Sequence, residues 1–200
     1  MTYLTIAVIG GTGPQGKGLG YRFARAGHAV VVGSRSAERA EEVASQIRER
    51  GVPGEVSGAA NAEAAAGADL VLLAVPYDGH DALVADLAEE LAGKVVVSCV
   101  NPLGFDKQGP FGLDVPGGSA AETAAALVPD ARVVGAFHHV SAVTLWGERS
   151  TSTTRTCWSA ATTRRPRRSS WTSRAASPRA TASTPAGSGS PVSWSLGPPC

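Results

Sequence analysis

Gly11-Thr12-Gly13-Pro14-Gln15-Gly16 places glycine at the first, third and sixth positions of a hexapeptide. It follows the apolar run Leu4 to Ile9 directly and opens an amphipathic stretch. Glycines at this spacing permit a tight turn and let a pyrophosphate come close to the backbone. A helix starting at the same point supplies unpaired N–H groups and the positive end of its dipole. Pro14 suits the first helical turn, where its missing N–H would have had no partner anyway. A chain with 24 glycines produces such spacings by chance. The weight therefore falls on the strand before the loop and the helix after it.

The end of the second predicted strand selects between the nicotinamide dinucleotides. An acidic residue there would hold a free ribose 2′-hydroxyl. This chain has Gly33-Ser34-Arg35 instead, with Arg39 one helical turn further on. A hydroxyl and two guanidinium groups match a 2′-phosphate, and no carboxylate stands there to repel it. The pattern predicts NADP(H), the bland alternative being a solvated helix start rich in Arg. Further candidates lie where later strands end, the place where open α/β sheets bind ligands. They are Val75-Pro76-Tyr77, Val100-Asn101-Pro102-Leu103 and Phe137-His138-His139-Val140-Ser141. His138 and His139 are ligand or proton-donor candidates, with hydrogen-bonded structural histidine as the equal alternative. His28 and His80 read as structural or exposed, and Cys99 as a core residue inside an apolar strand. No Ser-His-Asp, H-E-x-x-H or Walker pattern is present, so no catalytic acid, base or metal ligand is assigned.

Positioning these residues requires alternating strands and helices. Leu4–Ile9, Ala29–Val32, a short strand at Val56, Leu70–Val75, Val95–Val100 and Arg132–Phe137 read as strands, several of them nearly continuous apolar runs. Helices are predicted from Pro14 to Ala26, from Ser36 to about Gly51 with a stripe of Ala40, Val43, Ala44 and Ile47, and from Ala82 to Leu91. Ser119-Ala120-Ala121-Glu122 is a capping box for a further short helix. The pattern specifies an α/β fold with a doubly wound parallel sheet of the NAD(P)-binding Rossmann type.

Composition divides the chain. Its 200 residues are 43% hydrophobic and 18% charged with a net charge of +1, which suits a globular chain and gives no pull towards nucleic acid or membrane. No apolar run approaches the roughly 18 residues of a membrane span, and the N-terminus lacks a basic signal-peptide region. Cys99, Cys157 and Cys200 have no paired spacing, which argues against a disulfide scaffold or zinc module. A cytoplasmic location is expected. All 17 acidic residues precede Arg149, and the 51 residues from Ser150 to Cys200 carry seven Arg, 21 Ser or Thr and six Pro. One composition does not describe both parts. The expected division is a dinucleotide-binding domain over residues 1–146 and an aberrant or disordered tail over 147–200. The tail could be a basic arm, a disordered linker or the product of a shifted reading frame. Codons for Thr153 to Thr163 can be re-read as Asp-Thr-Asp-Val-Leu-Val-Gly-Gly-Asp-Asp, an apolar strand with an acidic turn, which favours a frameshift near residues 146–152.

Gly10-Gly11-Thr12-Gly13, Val32-Gly33-Ser34-Arg35, Val75-Pro76-Tyr77, Ser119-Ala120-Ala121-Glu122 and Phe137-His138, in this order, resemble the NADPH-dependent reductases of coenzyme F-420 (F420). The resemblance covers roughly residues 3–145. It implies hydride transfer between the nicotinamide and the 8-hydroxy-5-deazaflavin of F420. It implies that Thr12, Gly13, Pro14 and Gln15 hold the pyrophosphate, with Gly11 and Gly16 of the same loop also cofactor-binding, and that Ser34, Arg35 and Arg39 hold the 2′-phosphate. Tyr77, Leu103 and Ala142 would lie beside the nicotinamide half, and His138 and Val140 against the deazaflavin. Family members continue with a strand like the re-read one, then with helices that close the deazaflavin site and form a homodimer. This chain departs from that pattern after about Trp146. Other readings of the same fold are a small NADP-dependent reductase of an imine, flavin or ferric substrate, and a non-catalytic NADP-binding remnant.

Overall fold

A computed structural model of the chain describes residues 3–147 and 161–162. Two units divide the chain, Met1–Arg165 and Pro166–Cys200, and the second lies outside the described residues. So does the expected tail, apart from Ala161–Thr162.

The elements follow one another as β1 (Thr5–Ile9), α1 (Pro14–Arg25), β2 (Ala29–Ser34), α2 (Ala37–Arg48), β3 (Val56–Ala60), α3 (Asn61–Ala66), β4 (Leu70–Leu73), α4 (His80–Asp86), α5 (Ala88–Leu91), β5 (Val95–Ser98), β6 (Leu103–Asp106), β7 (Gly109–Gly112), α6 (Ala120–Leu127), β8 (Arg132–Gly135), α7 (Ala142–Trp146) and β9 (Ala161–Thr162). The main sheet runs β3-β2-β1-β4-β5-β8-β9. Its first six strands are parallel, and β9 pairs antiparallel with β8. The chain winds from β1 outward to β3, then returns to place β4 on the other side of β1. The crevice beyond the carboxyl ends of β1 and β4 is thus a topological switch point.

The central strands β1, β2 and β4 are largely apolar because both faces are covered. Ala7, Ile9, Val71, Leu73, Val96 and Val133 face one layer and pack on Ala64, Ala65, Val84, Leu91 and Ala124 from α3 to α6. The alternate residues Ile6, Val8, Val30, Val32 and Leu72 face Leu19, Ala24, Ala40, Ala44, Ile47 and Leu145 from α1, α2 and α7. Each fully buried Leu or Ile here contributes about 1.5–3 kcal/mol relative to exposure. The expected stripe on α2 is buried as read. Ser36 Oγ accepts from Arg39 N–H at 3.3 Å and so caps that helix. Ser119 Oγ does the same for Glu122 N–H at 3.2 Å in α6.

Several elements differ from expectation, among them α3, a helix that was not expected. The helix read as Ala82–Leu91 begins at His80 and breaks at Leu87, whose φ −98° and ψ 12° leave the helical region. Burial of Leu87 and Leu91 is unaffected, because both still reach the same core. A two-stranded hairpin, β6–β7, follows Asn101-Pro102. Asp106 Oδ1 accepts from Gln108 and Gly109 N–H at 2.7 and 3.1 Å, which closes the hairpin's turn. The short α7 was too brief to show a helical period, and it is held by α1 rather than by its own propensity.

Candidate functional site

The glycine loop occupies the switch point. Gly11 N–H donates to Val8 O at 3.1 Å and Gly33 O at 2.9 Å, which ties the loop to the ends of β1 and β2. Gly10 adopts φ +70°, a left-handed turn that other residues rarely tolerate. A Cβ on Gly16 would stand 2.7 Å from Gly11 Cα, so the third glycine permits helix and loop to touch. A Cβ on Gly13 would meet nothing closer than Gly10 O at 3.8 Å, so that side of the loop is open. Gly13 is the N-cap of α1, Pro14 occupies its first turn, and no acidic residue offsets the positive helix end. The half-buried Thr12 flanks this opening. An anion of pyrophosphate type fits this cradle.

Gln15 has a second role that its position in the loop did not reveal. Its Nε2–H donates to Phe137 O at 3.4 Å and links the loop to the segment after β8. Phe137 is the one described non-glycine residue with positive φ, at 66°. That conformation costs about 1–3 kcal/mol and persists only where its surroundings impose it. Here Phe23 meets the Phe137 ring edge-to-face at 6.1 Å. His138 and Val140 follow this turn, both half-buried, with Val140 packed on the core layer that α1 covers. Asn101 Nδ2–H donates to His138 O at 2.8 Å and fixes the next peptide. Burial holds the His138 imidazole below its ordinary pKa, with the neighbouring His139 adding to the effect.

α1 also clamps α7. Arg22 donates to Leu145 O at 2.6 Å and to Thr144 O and Gly147 O at 2.8 Å each. A cation on these terminal carbonyls satisfies groups that a helix leaves open. Arg50 lies 4.5 Å from the ring centroids of both Tyr21 and Trp146. Ala142 is the first residue of α7, and its carbonyl would lie 3.4 Å from a Cβ on Gly18. The segment from Phe137 to Gly147 is thereby tied to the helix that carries the glycine loop.

At the end of β2, Ser34 is buried, and its Oγ accepts from Ser36 N–H at 3.4 Å. Arg35 and Arg39 are exposed, and neither meets a carboxylate among the described residues. Two unpaired cations beside the loop fit a phosphate on the adenosine ribose. Sequence reasoning missed Asn61, which is buried at the head of α3, and its Oδ1 accepts from Gly10 N–H at 3.4 Å. Only an Asn after a short strand signalled it.

Tyr77 is half-buried in the turn after β4. With Asp78, Gly79, Asp81, Ala82, Leu103 and Leu113 it lines an open cavity of about 320 Å³. Tyr77 and Leu103 thus meet at one place, while Ala142, His138 and Val140 belong to the segment tied to α1. His28 accepts from Leu4 N–H at 3.2 Å and is structural, as expected. Cys99 is buried, its thiol donates to Leu73 O at 3.1 Å, and burial pushes its pKa up to about 12, so it is no nucleophile. Among the described residues, no group of His, Cys, Asp or Glu is placed to hold a metal ion. No described helix is long and apolar enough to cross a membrane.

Residues 5–102 match the family described as NADP oxidoreductase, coenzyme F420-dependent. The chain is 40% identical over 148 residues to the F420-dependent NADP reductase of Methanothermobacter thermautotrophicus, covering 71% of this chain and 64% of that protein. It is 39% identical over 144 residues to the enzyme of that name from Methanocaldococcus jannaschii, covering 68% and 64%. The chain therefore spans under two thirds of the length of these relatives. Among solved structures, a hypothetical protein of Sinorhizobium meliloti superposes with TM-score 0.57 at 28% identity, over 75% of this chain and 68% of that one. A lactate dehydrogenase from Eimeria maxima gives 0.52 at 13% identity, over 67% and 43%, which speaks for the fold alone.

Proposed function

Because residues 5–102 match the family of coenzyme F420-dependent NADP oxidoreductases, we propose that this chain serves hydride transfer between NADP(H) and the 8-hydroxy-5-deazaflavin of F420. The observation that carries the cofactor side is the pair Arg35 and Arg39, free of carboxylates among the described residues and adjacent to the open glycine loop. Gly11, Thr12, Gly13, Pro14, Gln15 and Gly16 hold the pyrophosphate, and Ser34, Arg35 and Arg39 the 2′-phosphate. Tyr77, Leu103 and Ala142 border the nicotinamide half, and His138 and Val140 the deazaflavin. The bound dinucleotide supplies a transferable hydride at its nicotinamide ring. The protein's part is to orient two flat rings and exclude water, which makes positioning the main catalytic contribution. No covalent intermediate is needed, and no side chain is assigned as general acid or base for the proton that accompanies the hydride.

The dinucleotide-binding domain, in this reading, comprises residues 1–146, with a frame shift accounting for the composition of 147–200. A cytoplasmic location and the family's homodimer belong to the same proposal, the dimer for the protein in its corrected frame.

The test is NADPH oxidation by the purified protein, in its present and in its corrected reading frame, with F420, FMN or a cyclic imine as acceptor. Turnover with F420 in the corrected frame is expected. Turnover with FMN or imine and none with F420 would replace the substrate assignment. Tight NADPH binding without turnover in either frame would make the chain a binding module.

A further inference from the structure

His80 is the first residue of α4 and is 0% exposed. Its Nδ1 lies 2.7 Å from Asp81 Oδ1. An ionised carboxylate only accepts, so Nδ1 carries the proton and donates. Nε2 is buried with no partner among the described residues. A buried polar atom left in this way is costlier than an apolar side chain of similar size. The imidazole therefore needs a return elsewhere, and the neighbouring ring offers one. Tyr77 stacks on His80, with centroids 6.3 Å apart and planes inclined by 23°. The same residue closes the turn, since His80 N–H donates to Tyr77 O at 3.1 Å. One residue thus holds both the backbone and the ring of Tyr77, and the half-exposed Asp81 fixes the rotation of the imidazole beneath it.

We propose that His80 is a positioning residue that sets the plane of the Tyr77 ring, and through it the wall against which the nicotinamide lies. This rests on the placement of Tyr77 beside the nicotinamide proposed above. Asp81 belongs to the same device, as the tether that stops the imidazole turning.

The experiment uses the full chain with NADPH and reads two quantities, the dissociation constant and the emission of the bound nicotinamide. Tyr77→Ala should alter the emission while weakening binding by less than about threefold, because the phosphate contacts carry most of the affinity. His80→Ala should reproduce that change, and His80→Ala combined with Tyr77→Ala should add nothing further. Asp81→Ala leaves the core filled and should shift the emission the same way while adding nothing to Tyr77→Ala, so with that pair it decides the matter if His80→Ala fails to fold. Wild-type emission in folded His80→Ala, or in Asp81→Ala where His80→Ala does not fold, would overturn the role of His80 while leaving Tyr77 in place. Unchanged emission in Tyr77→Ala would instead overturn the placement of Tyr77, and the inference with it.

Discussion

Arg35→Ala tests the cofactor assignment without requiring catalysis. Arg35 follows the last residue of β2, is exposed, and has no carboxylate partner among the described residues. Its removal therefore leaves no buried charge behind, and the loss reports the ligand contact alone. A hydrogen bond to a charged group contributes about 1.5–3 kcal/mol. Solvent screening places an exposed guanidinium near the lower end, about 1.5–2 kcal/mol. At about 1.36 kcal/mol per tenfold, NADPH affinity should fall roughly 10- to 30-fold. NADH has no 2′-phosphate, so its affinity should change by less than about twofold on the same argument. Calorimetric titration of both dinucleotides into wild type and variant measures this directly. Raising the salt should narrow the preference for NADPH, since the Debye length shrinks to about 8 Å at physiological ionic strength. Equal losses for both dinucleotides would refute the 2′-phosphate assignment and leave Arg35 as an ordinary solvated helix flank.

The glycine loop separates space from fold. Gly13→Ala should keep the melting temperature yet weaken NADPH and NADH alike, whereas Gly16→Ala should unfold at markedly lower temperature, because its Cβ would meet backbone at 2.7 Å. Arg22→Ala strips three carbonyls of α7 of their donor. A loss of about 2–4 kcal/mol is expected in chemical denaturation, together with faster amide exchange over residues 142–147. The depressed pKa of His138 means that the unfolded chain binds its proton first. Its contribution to stability is therefore complete above about pH 6.5 and is lost as the pH falls below that value. His138→Gln should flatten this part of the stability profile, and an unchanged profile would remove His138 as its source.

Periodicity and spacing alone determined the layered fold. The central strands are nearly continuous apolar runs, α2 buries its predicted stripe, and the Ser119 cap is a local hydrogen bond. Local chemistry likewise marked the glycine loop and the Ser34–Arg35 pair, because each lies within a few residues of the strand it ends. Contacts distant in sequence were invisible at that level. Gln15 meets Phe137 across 122 residues, Arg22 meets Gly147 across 125, and Asn61 reaches Gly10 across 51. None of these pairings has a local signature, since each depends on where the sheet brings its strand ends. For the same reason the break at Leu87, the left-handed Phe137 and the stacking of Tyr77 on His80 were set by packing. The sequence thus established which residues could hold a dinucleotide. Only the tertiary structure decided that the segment following β8 is fastened to the helix that holds it.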